Sequence, residues 1–156
     1  MKSIILKSTS PRRKELLGKM GYNFEIKAFD VDETMDISLS PYENVKKLGL
    51  LKASINKETD YGKILIGCDT IVVLNDIIFG KPHSEDEAIN MLEALNGQKH
   101  QVMSGVGVIY KDKVYNFVDI SNVYFKKLSH DEIIAYVSSG ECYGKAGSYA
   151  IQGIGR

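Results

Sequence analysis

Few residues of the kinds that build disulfide frameworks or metal clusters occur in this sequence, which has two cysteines and three histidines among 156 residues. Cys68 and Cys142 lie far apart and form no C-x-x-C pair, so neither a disulfide framework nor a zinc site is indicated. His83, His100 and His130 also lack the spacing of metal ligands. The formal net charge is zero, which argues against bulk binding to nucleic acid or to an acidic membrane surface.

Long apolar runs are missing too. No stretch approaches the ~20 residues that a membrane span needs. Only four residues separate Lys2 from the next charge, Lys7, which is too few for the apolar part of a signal peptide. We therefore expect a cytoplasmic protein without a membrane partner. The hydrophobic share of 44% and the charged share of 26% are ordinary for a soluble protein, and the length fits one domain over residues 1–156.

Helix starts recur along the chain. Ser10 followed by Pro11 predicts one, and the pattern Ser-x-x-Glu predicts three more, at Ser40, Ser84 and Ser129. Runs rich in β-formers predict strands at residues 63–74, 77–79, 100–110, 114–118 and 121–126. Some of these runs are joined by short turns and others are separated by helices. The pattern favours an α/β fold in which helices pack on a mixed sheet, and it leaves the strand order open.

The first predicted helix carries Arg12 and Arg13 in its first turn, directly after a short apolar strand and a polar loop. The helix dipole disfavours cations at this end, so the placement makes sense if an anion normally binds there. A phosphate clamp and a solvated basic turn are both compatible with these residues. Residues 1–20 hold six basic side chains, whereas residues 21–43 hold six acidic ones. A basic and an acidic loop side by side could bind a polyanion together with its metal ion. Equally, their charges could neutralise one another.

Asp69 interrupts a run of apolar residues that otherwise predicts a buried strand. A buried carboxylate costs several kcal/mol unless a cation or hydrogen-bond donors compensate it. Asp69 is therefore either a general base or metal ligand on a rigid strand, or a carboxylate turned outwards by a bulge at Gly67. Lys52 raises the same question, because it falls within the apolar arc of its helix. Its ammonium either reaches solvent or needs a negative partner, such as Asp69 or a phosphate.

Several loop residues complete the candidate site. Glu33 lies in an acidic loop, Lys81 lies between a glycine and a proline, and Lys145 and Gln152 lie in the glycine-punctuated segment 144–153. Each could be an ordinary loop residue. A cluster of lysines and arginines around a few carboxylates, with no visible nucleophilic Ser/Cys–His pair, suits phosphoryl-group chemistry with a divalent metal better than acyl transfer.

Six short motifs in this order resemble the Maf family of nucleoside triphosphate pyrophosphatases. They are Ser8-Thr9-Ser10-Pro11-Arg12-Arg13, Asp32-Glu33, Glu43-Asn44-Val45 leading to Lys52-Ala53, Asp69-Thr70, Gly80-Lys81-Pro82, and Lys145-Ala146-Gly147 with Ile151-Gln152-Gly153. Each motif alone is weak, but the ordered set is specific and covers nearly the whole chain. The resemblance implies an α/β fold like that of the ITPases, with an elongated mixed β-sheet flanked by helices, two lobes around a cleft, and a homodimer.

The resemblance also implies hydrolysis of a nucleoside triphosphate between its α and β phosphates, with Mg²⁺ or Mn²⁺. Asp69 would be the general base and would hold the metal together with Glu33. The residues expected to bind substrate are Ser8, Arg12, Arg13, Lys52, Thr70, Lys81, Lys145 and Gln152. Arg12, Thr70 and Gln152 match positions that the family uses for substrate choice. Thr70 after Asp69, together with Ile151-Gln152-Gly153, resembles the branch that acts on dTTP and UTP.

The sequence departs from the family pattern at two places. Gly144 stands where the family has an acidic residue, which removes one potential partner of a metal or lysine. Relatives usually continue beyond Arg156 through another strand and a closing helix, so we expect a single domain that lacks both. These departures favour one alternative function, a nucleotide-binding regulatory protein without turnover. A second alternative, within the same broad fold, is a purine-directed pyrophosphatase acting on ITP or XTP.

Overall fold

The computed structural model describes residues 2–156. Its strands are β1 (Ile4–Leu6), β2 (Phe24–Ile26), β3 (Ile64–Leu74), β4 (Ile77–Phe79), β5 (Lys99–Tyr110) and β6 (Lys113–Tyr124). Its helices are α1 (Pro11–Lys19), α2 (Pro41–Ser54), α3 (Glu85–Leu95) and α4 (His130–Ser138), followed by a short 3-10 turn at Ala146–Ser148. None of the helices in this described range has the length and apolar character needed to cross a bilayer.

The strands form one six-stranded sheet in the order β2-β1-β3-β5-β6, with β4 paired to β3. Strand β1 runs parallel to both of its neighbours, whereas β4 returns antiparallel to β3 through a tight turn. Asn75 and Asp76 form that turn with positive φ angles, as a two-residue hairpin requires. The prediction of a mixed sheet flanked by helices is confirmed. The two runs predicted at 114–118 and 121–126 are wrong in one respect, because they form the single strand β6.

Serine capping starts all four helices, as predicted. Ser40 and Ser129 form complete capping boxes, in which the glutamate three residues later accepts a hydrogen bond from the serine N–H. At Ser84 only half of the box forms. The serine hydroxyl accepts from the Glu87 N–H, but the Glu87 carboxylate accepts from the His83 N–H instead.

The chain divides into two compact units. The first comprises the chain up to Asp69 together with residues 104–119. The second comprises residues 70–103 and 120–156. The core of the first unit contains Ile5, Ala53, Leu65 and Ile109. The core of the second is built mainly from α3, α4 and β3, and it includes Val72, Leu92, Leu95, Ile133 and Val137.

Glycines allow helix α2 to lie unusually close to the sheet in the first unit. A Cβ at Gly67 of β3 would lie 2.2 Å from the Ala53 nitrogen, and one at Gly105 of β5 would lie 1.8 Å from the Val45 carbonyl oxygen. Gly49 on the helix is equally confined, since its Cβ would lie 2.3 Å from the Gly105 oxygen. Backbone therefore packs directly on backbone, and this contact fixes the height of α2 above β3.

Candidate active site

Lys52 joins two carboxylates that lie far apart in the sequence. Its ammonium nitrogen lies 2.6 Å from Oε1 of Glu33 and 2.7 Å from Oδ1 of Asp69. The side chains of Lys52 and Asp69 are 14% and 13% exposed, whereas that of Glu33 is 49% exposed. Of the alternatives left open by the sequence, Lys52 turns inward to a carboxylate and Asp69 turns away from open solvent.

The local fold explains why Lys52 and Asp69 lie in contact. Burial alternates along β3, so that Leu65, Gly67, Asp69 and Ile71 share one buried face. Gly67 lies directly against the α2 backbone at Ala53. Asp69 is two residues further along the same face, and Lys52 directly precedes Ala53. The strand period of two and the close helix approach thus bring ammonium and carboxylate together.

Electrostatics keep Lys52 charged. Its burial disfavours the ammonium form, but the hydrogen bonds to Asp69 and Glu33 outweigh that effect, and the pKa of Lys52 is raised above its ordinary value. A charge held in this way is available to stabilise negative charge on a phosphate at neutral pH.

The predicted phosphate clamp is asymmetric. Ser10 caps α1 by accepting a hydrogen bond from the Arg13 N–H. The Arg13 guanidinium donates to Oγ of Ser8 at 3.1 Å and to the Cys68 carbonyl at 2.7 Å, which fixes it beside the residue that precedes Asp69. Arg12 instead pairs with Glu15 at 3.2 Å on the surface of the helix, where both side chains are nearly half exposed. Arg13 is therefore preorganised, and Arg12 is held by a weak pair only.

The remaining candidate residues belong to the second unit. Thr70 follows Asp69 on β3, and Lys81 lies in the loop after β4. The Gly147 N–H donates to the Gly80 carbonyl at 3.0 Å, so the 145–148 turn is fastened to the loop of Lys81. The Lys145 ammonium donates to the Glu141 carbonyl at 2.5 Å. Gln152 is exposed.

Two supporting features were missed by sequence reasoning. Asn44 is buried and ties the acidic loop, here residues 30–36, to α2. Its Oδ1 accepts a hydrogen bond from the Asp36 N–H at 2.8 Å, and its Nδ2 donates one to the Asp36 carbonyl at 2.9 Å. No pattern in the sequence indicates this role.

The second missed feature is a buried ion pair beneath the Ser8 loop. The Lys7 ammonium is 1% exposed and donates to Oδ2 of Asp60 at 3.1 Å, while Lys27 binds Oδ1 of the same carboxylate at 2.7 Å. The hydrogen bond from Lys27, helped by that from Lys7 against the effect of burial, lowers the pKa of Asp60. A signal existed, since Lys7 directly continues the buried run Ile4–Leu6.

The donor set around Lys52 fits a hard divalent metal that arrives with a phosphate ligand. The carboxylates of Glu33 and Asp69 could supply two oxygen ligands, and in residues 2–156 no group of three or more His, Cys, Asp or Glu residues could hold a metal. Mg²⁺ is commonly bound by one or two carboxylates, with substrate phosphates and waters as its other ligands. The carboxylates of Glu33 and Asp69 fit that mode of binding.

Comparisons with known proteins show which proteins this chain is similar to. A family model described as "Maf-like protein" matches residues 3–156. A Bacillus cereus protein named dTTP/UTP pyrophosphatase is 48% identical over 155 residues, covering 99% of this chain and 76% of the relative. A Bacillus anthracis protein with the same name is 47% identical, with 99% and 81% covered. Among solved structures, the Staphylococcus aureus Ham1 protein matches with a TM-score of 0.49 and 16% identity, covering 79% of this chain and 71% of that one. The match over nearly the whole chain shows that this chain belongs to the Maf family.

Proposed function

We propose that this chain hydrolyses pyrimidine nucleoside triphosphates, dTTP and UTP among them, to the monophosphate and pyrophosphate. The observation that carries the proposal is the group of Lys52, Glu33 and Asp69, in which an ammonium contacts two carboxylates beside the preorganised Arg13. The names of the relatives, dTTP/UTP pyrophosphatase, support the substrate class.

Asp69 is the proposed general base. A water oxygen attacks the α-phosphorus, the bond from that phosphorus to its bridging oxygen breaks, and pyrophosphate leaves with the bridging oxygen. Asp69 takes the proton of the attacking water. Its place on the rigid strand β3 fixes the carboxylate in position, as a base for this step must be.

The cationic residues stabilise the charge that develops on the phosphates. Arg13 is held in place before substrate arrives, so it needs little reorganisation during the reaction, and Lys52 supplies a second positive charge. Ser8, Arg12, Lys81 and Lys145 are the further proposed phosphate contacts, with Thr70 and Gln152 as contacts that select the base. Glu33 and Asp69 would hold Mg²⁺ or Mn²⁺, which supplies Lewis-acid stabilisation of the phosphate oxygens when bound.

A nucleotide panel tests the proposal. Wild type, Asp69→Asn and the control Asp119→Asn are assayed with dTTP, UTP, CTP and ITP and with Mg²⁺ or Mn²⁺, and phosphate is detected after added inorganic pyrophosphatase. Asp119 is an exposed aspartate of β6, so its conversion to asparagine makes the same chemical change outside the site. We expect Asp69→Asn to lose turnover by about a hundredfold or more, as removal of a general base does, and Asp119→Asn to keep it.

The outcomes separate the alternatives. Full activity of Asp69→Asn would remove the role of that carboxylate, and preference for ITP over UTP would favour purine house-cleaning. Nucleotide binding without release of phosphate from any substrate would favour the alternative of a nucleotide-binding regulatory protein without turnover. We also propose a cytoplasmic homodimer, as the resemblance implies; light scattering coupled to size exclusion would show a mass of twice 17.4 kDa.

A further inference from the structure

Lys52 stands where a cation shared by Glu33 and Asp69 would stand. Its nitrogen lies within 2.7 Å of one oxygen from each carboxylate, so those two oxygens can be no further apart than twice that distance. Only 14% of the Lys52 side chain is exposed, and the contacts are direct.

A divalent metal that bound both oxygens would compete with the ammonium for them. Mg²⁺ binds oxygen ligands at about 2.0–2.1 Å, so a metal shared by these two oxygens has to lie close to both. The ammonium already contacts both. Two cations that contact the same two oxygens repel each other strongly at such distances in a half-buried site.

The two ends of Lys52 differ in their freedom to move. Its backbone belongs to the last turn of α2, and α2 is held against the sheet by the glycine contacts at Gly67 and Gly105. Its ammonium is carried by a flexible four-carbon stem. The ammonium can therefore change partners while the helix stays in place, provided that another anion is within its reach.

We propose that the Lys52 ammonium acts as an internal counter-cation, which occupies the position between Glu33 and Asp69 and gives it up to a divalent metal when substrate phosphates offer the ammonium another partner. This inference rests on the proposed function, because it requires the metal and the triphosphate of that reaction. It makes metal binding weak in the absence of nucleotide and couples the two binding events, since each ligand favours the arrangement that the other needs.

Binding of Mn²⁺ to the folded protein without nucleotide tests the proposal. Free Mn²⁺ is measured by electron paramagnetic resonance in wild type, Lys52→Met, Lys52→Arg and Lys47→Met. We expect Lys52→Met to bind Mn²⁺ at least tenfold more tightly than wild type, because two adjacent carboxylates lose their counter-cation. Lys52→Arg keeps the charge and should bind no more tightly than wild type.

Lys47→Met is the matched control. Lys47 lies on the same helix and pairs with an acidic-loop residue, Asp36, at 3.9 Å, but its side chain is 63% exposed and touches neither candidate metal ligand. The same loss of charge there should change Mn²⁺ affinity less than twofold. Unchanged or weaker Mn²⁺ binding by Lys52→Met with a native melting transition would overturn the proposal and make Lys52 an organiser of the metal site.

A second measurement needs no stable methionine variant. In wild type, the ¹⁵Nζ resonance of Lys52, assigned by its loss in Lys52→Arg, should shift when Mg²⁺ saturates the nucleotide-free protein. Saturation without any shift would also overturn the inference. Neither readout involves turnover, so failure of wild type to hydrolyse any nucleotide would count against the proposed function alone.

Discussion

Substitution of Gly105 by alanine tests whether direct backbone contact sets the position of helix α2. The new Cβ would lie 1.8 Å from the Val45 carbonyl oxygen and 2.9 Å from the Lys46 nitrogen. These neighbours are backbone atoms of a helix, so no side chain can rotate away to make room. The helix would have to retreat until the shortest contact reached at least 3.0 Å, the closest approach that real Cβ atoms show.

The cost of that retreat follows from its size. Inserting one methyl group into a well-packed interior costs about 1–3 kcal/mol. We place Gly105→Ala at the upper end of this energy range because both sides of the contact are backbone, and because the same helix is also confined at Gly49 and Gly67. We expect the free energy of unfolding to fall by about 3 kcal/mol, which for a chain of this size lowers Tm by roughly 6–12 °C.

Urea unfolding followed by circular dichroism measures the effect, with Gly18→Ala as control. Gly18 lies inside α1 without a positive φ, and a Cβ added there would meet no heavy atom within 4 Å. Alanine should therefore stabilise that helix by up to about 1 kcal/mol. A Gly105→Ala variant whose free energy of unfolding lies within about 0.5 kcal/mol of wild type would refute the reasoning, since surface-like tolerance is incompatible with backbone contact.

Two further predictions concern buried ionisable groups. Asp60→Asn leaves the buried Lys7 ammonium without its counter-charge and should lower the free energy of unfolding by about 3 kcal/mol or more. The control Glu25→Gln changes an exposed side chain and should alter the free energy of unfolding by less than about 0.5 kcal/mol. Equal effects of the two variants in urea unfolding would contradict this. Burial, only partly opposed by the Gln98 backbone, lowers the pKa of His100, so the folded protein keeps that ring neutral while the unfolded chain takes up a proton below about pH 6.5. Stability should therefore fall as the pH falls from 7 to 5, and His100→Phe should flatten this dependence; an equal slope in both proteins would remove His100 as its source.

Much of the fold was predictable because it depends on local signals. Ser40 and Ser129 start their helices with complete capping boxes, and Asn75-Asp76 turns the β3–β4 hairpin. These features require only neighbours in the sequence, so the pattern indicates them directly. Aspartate is disfavoured in strands, but β6 continues through Asp119 as a single strand paired with β5, so the two predicted runs form one strand.

The candidate site was predictable in its members more than in its arrangement. Asp69 and Lys52 were recognisable because each places a charge on an otherwise apolar face, which is costly without a partner. Asp69 was one of the partners that the sequence offered for Lys52, but the second contact, to Glu33, and the different settings of Arg12 and Arg13 were not predictable. The structural role of Asn44 was not predictable, although it lies in one of the motifs, because its hydrogen bonds depend on where a separate loop passes.

Residue type and spacing along the chain are enough to show which charges would be expensive to bury and where helices and turns begin. Which of those charges meet depends on packing in three dimensions. Residues of β1 pair with residues of β3 that lie sixty positions later in the chain, and α2 packs on β3 only because glycine leaves room for backbone to touch backbone. Distances between such segments are set when the sheet and helix pack together, so they cannot be inferred from residues that are neighbours in the sequence.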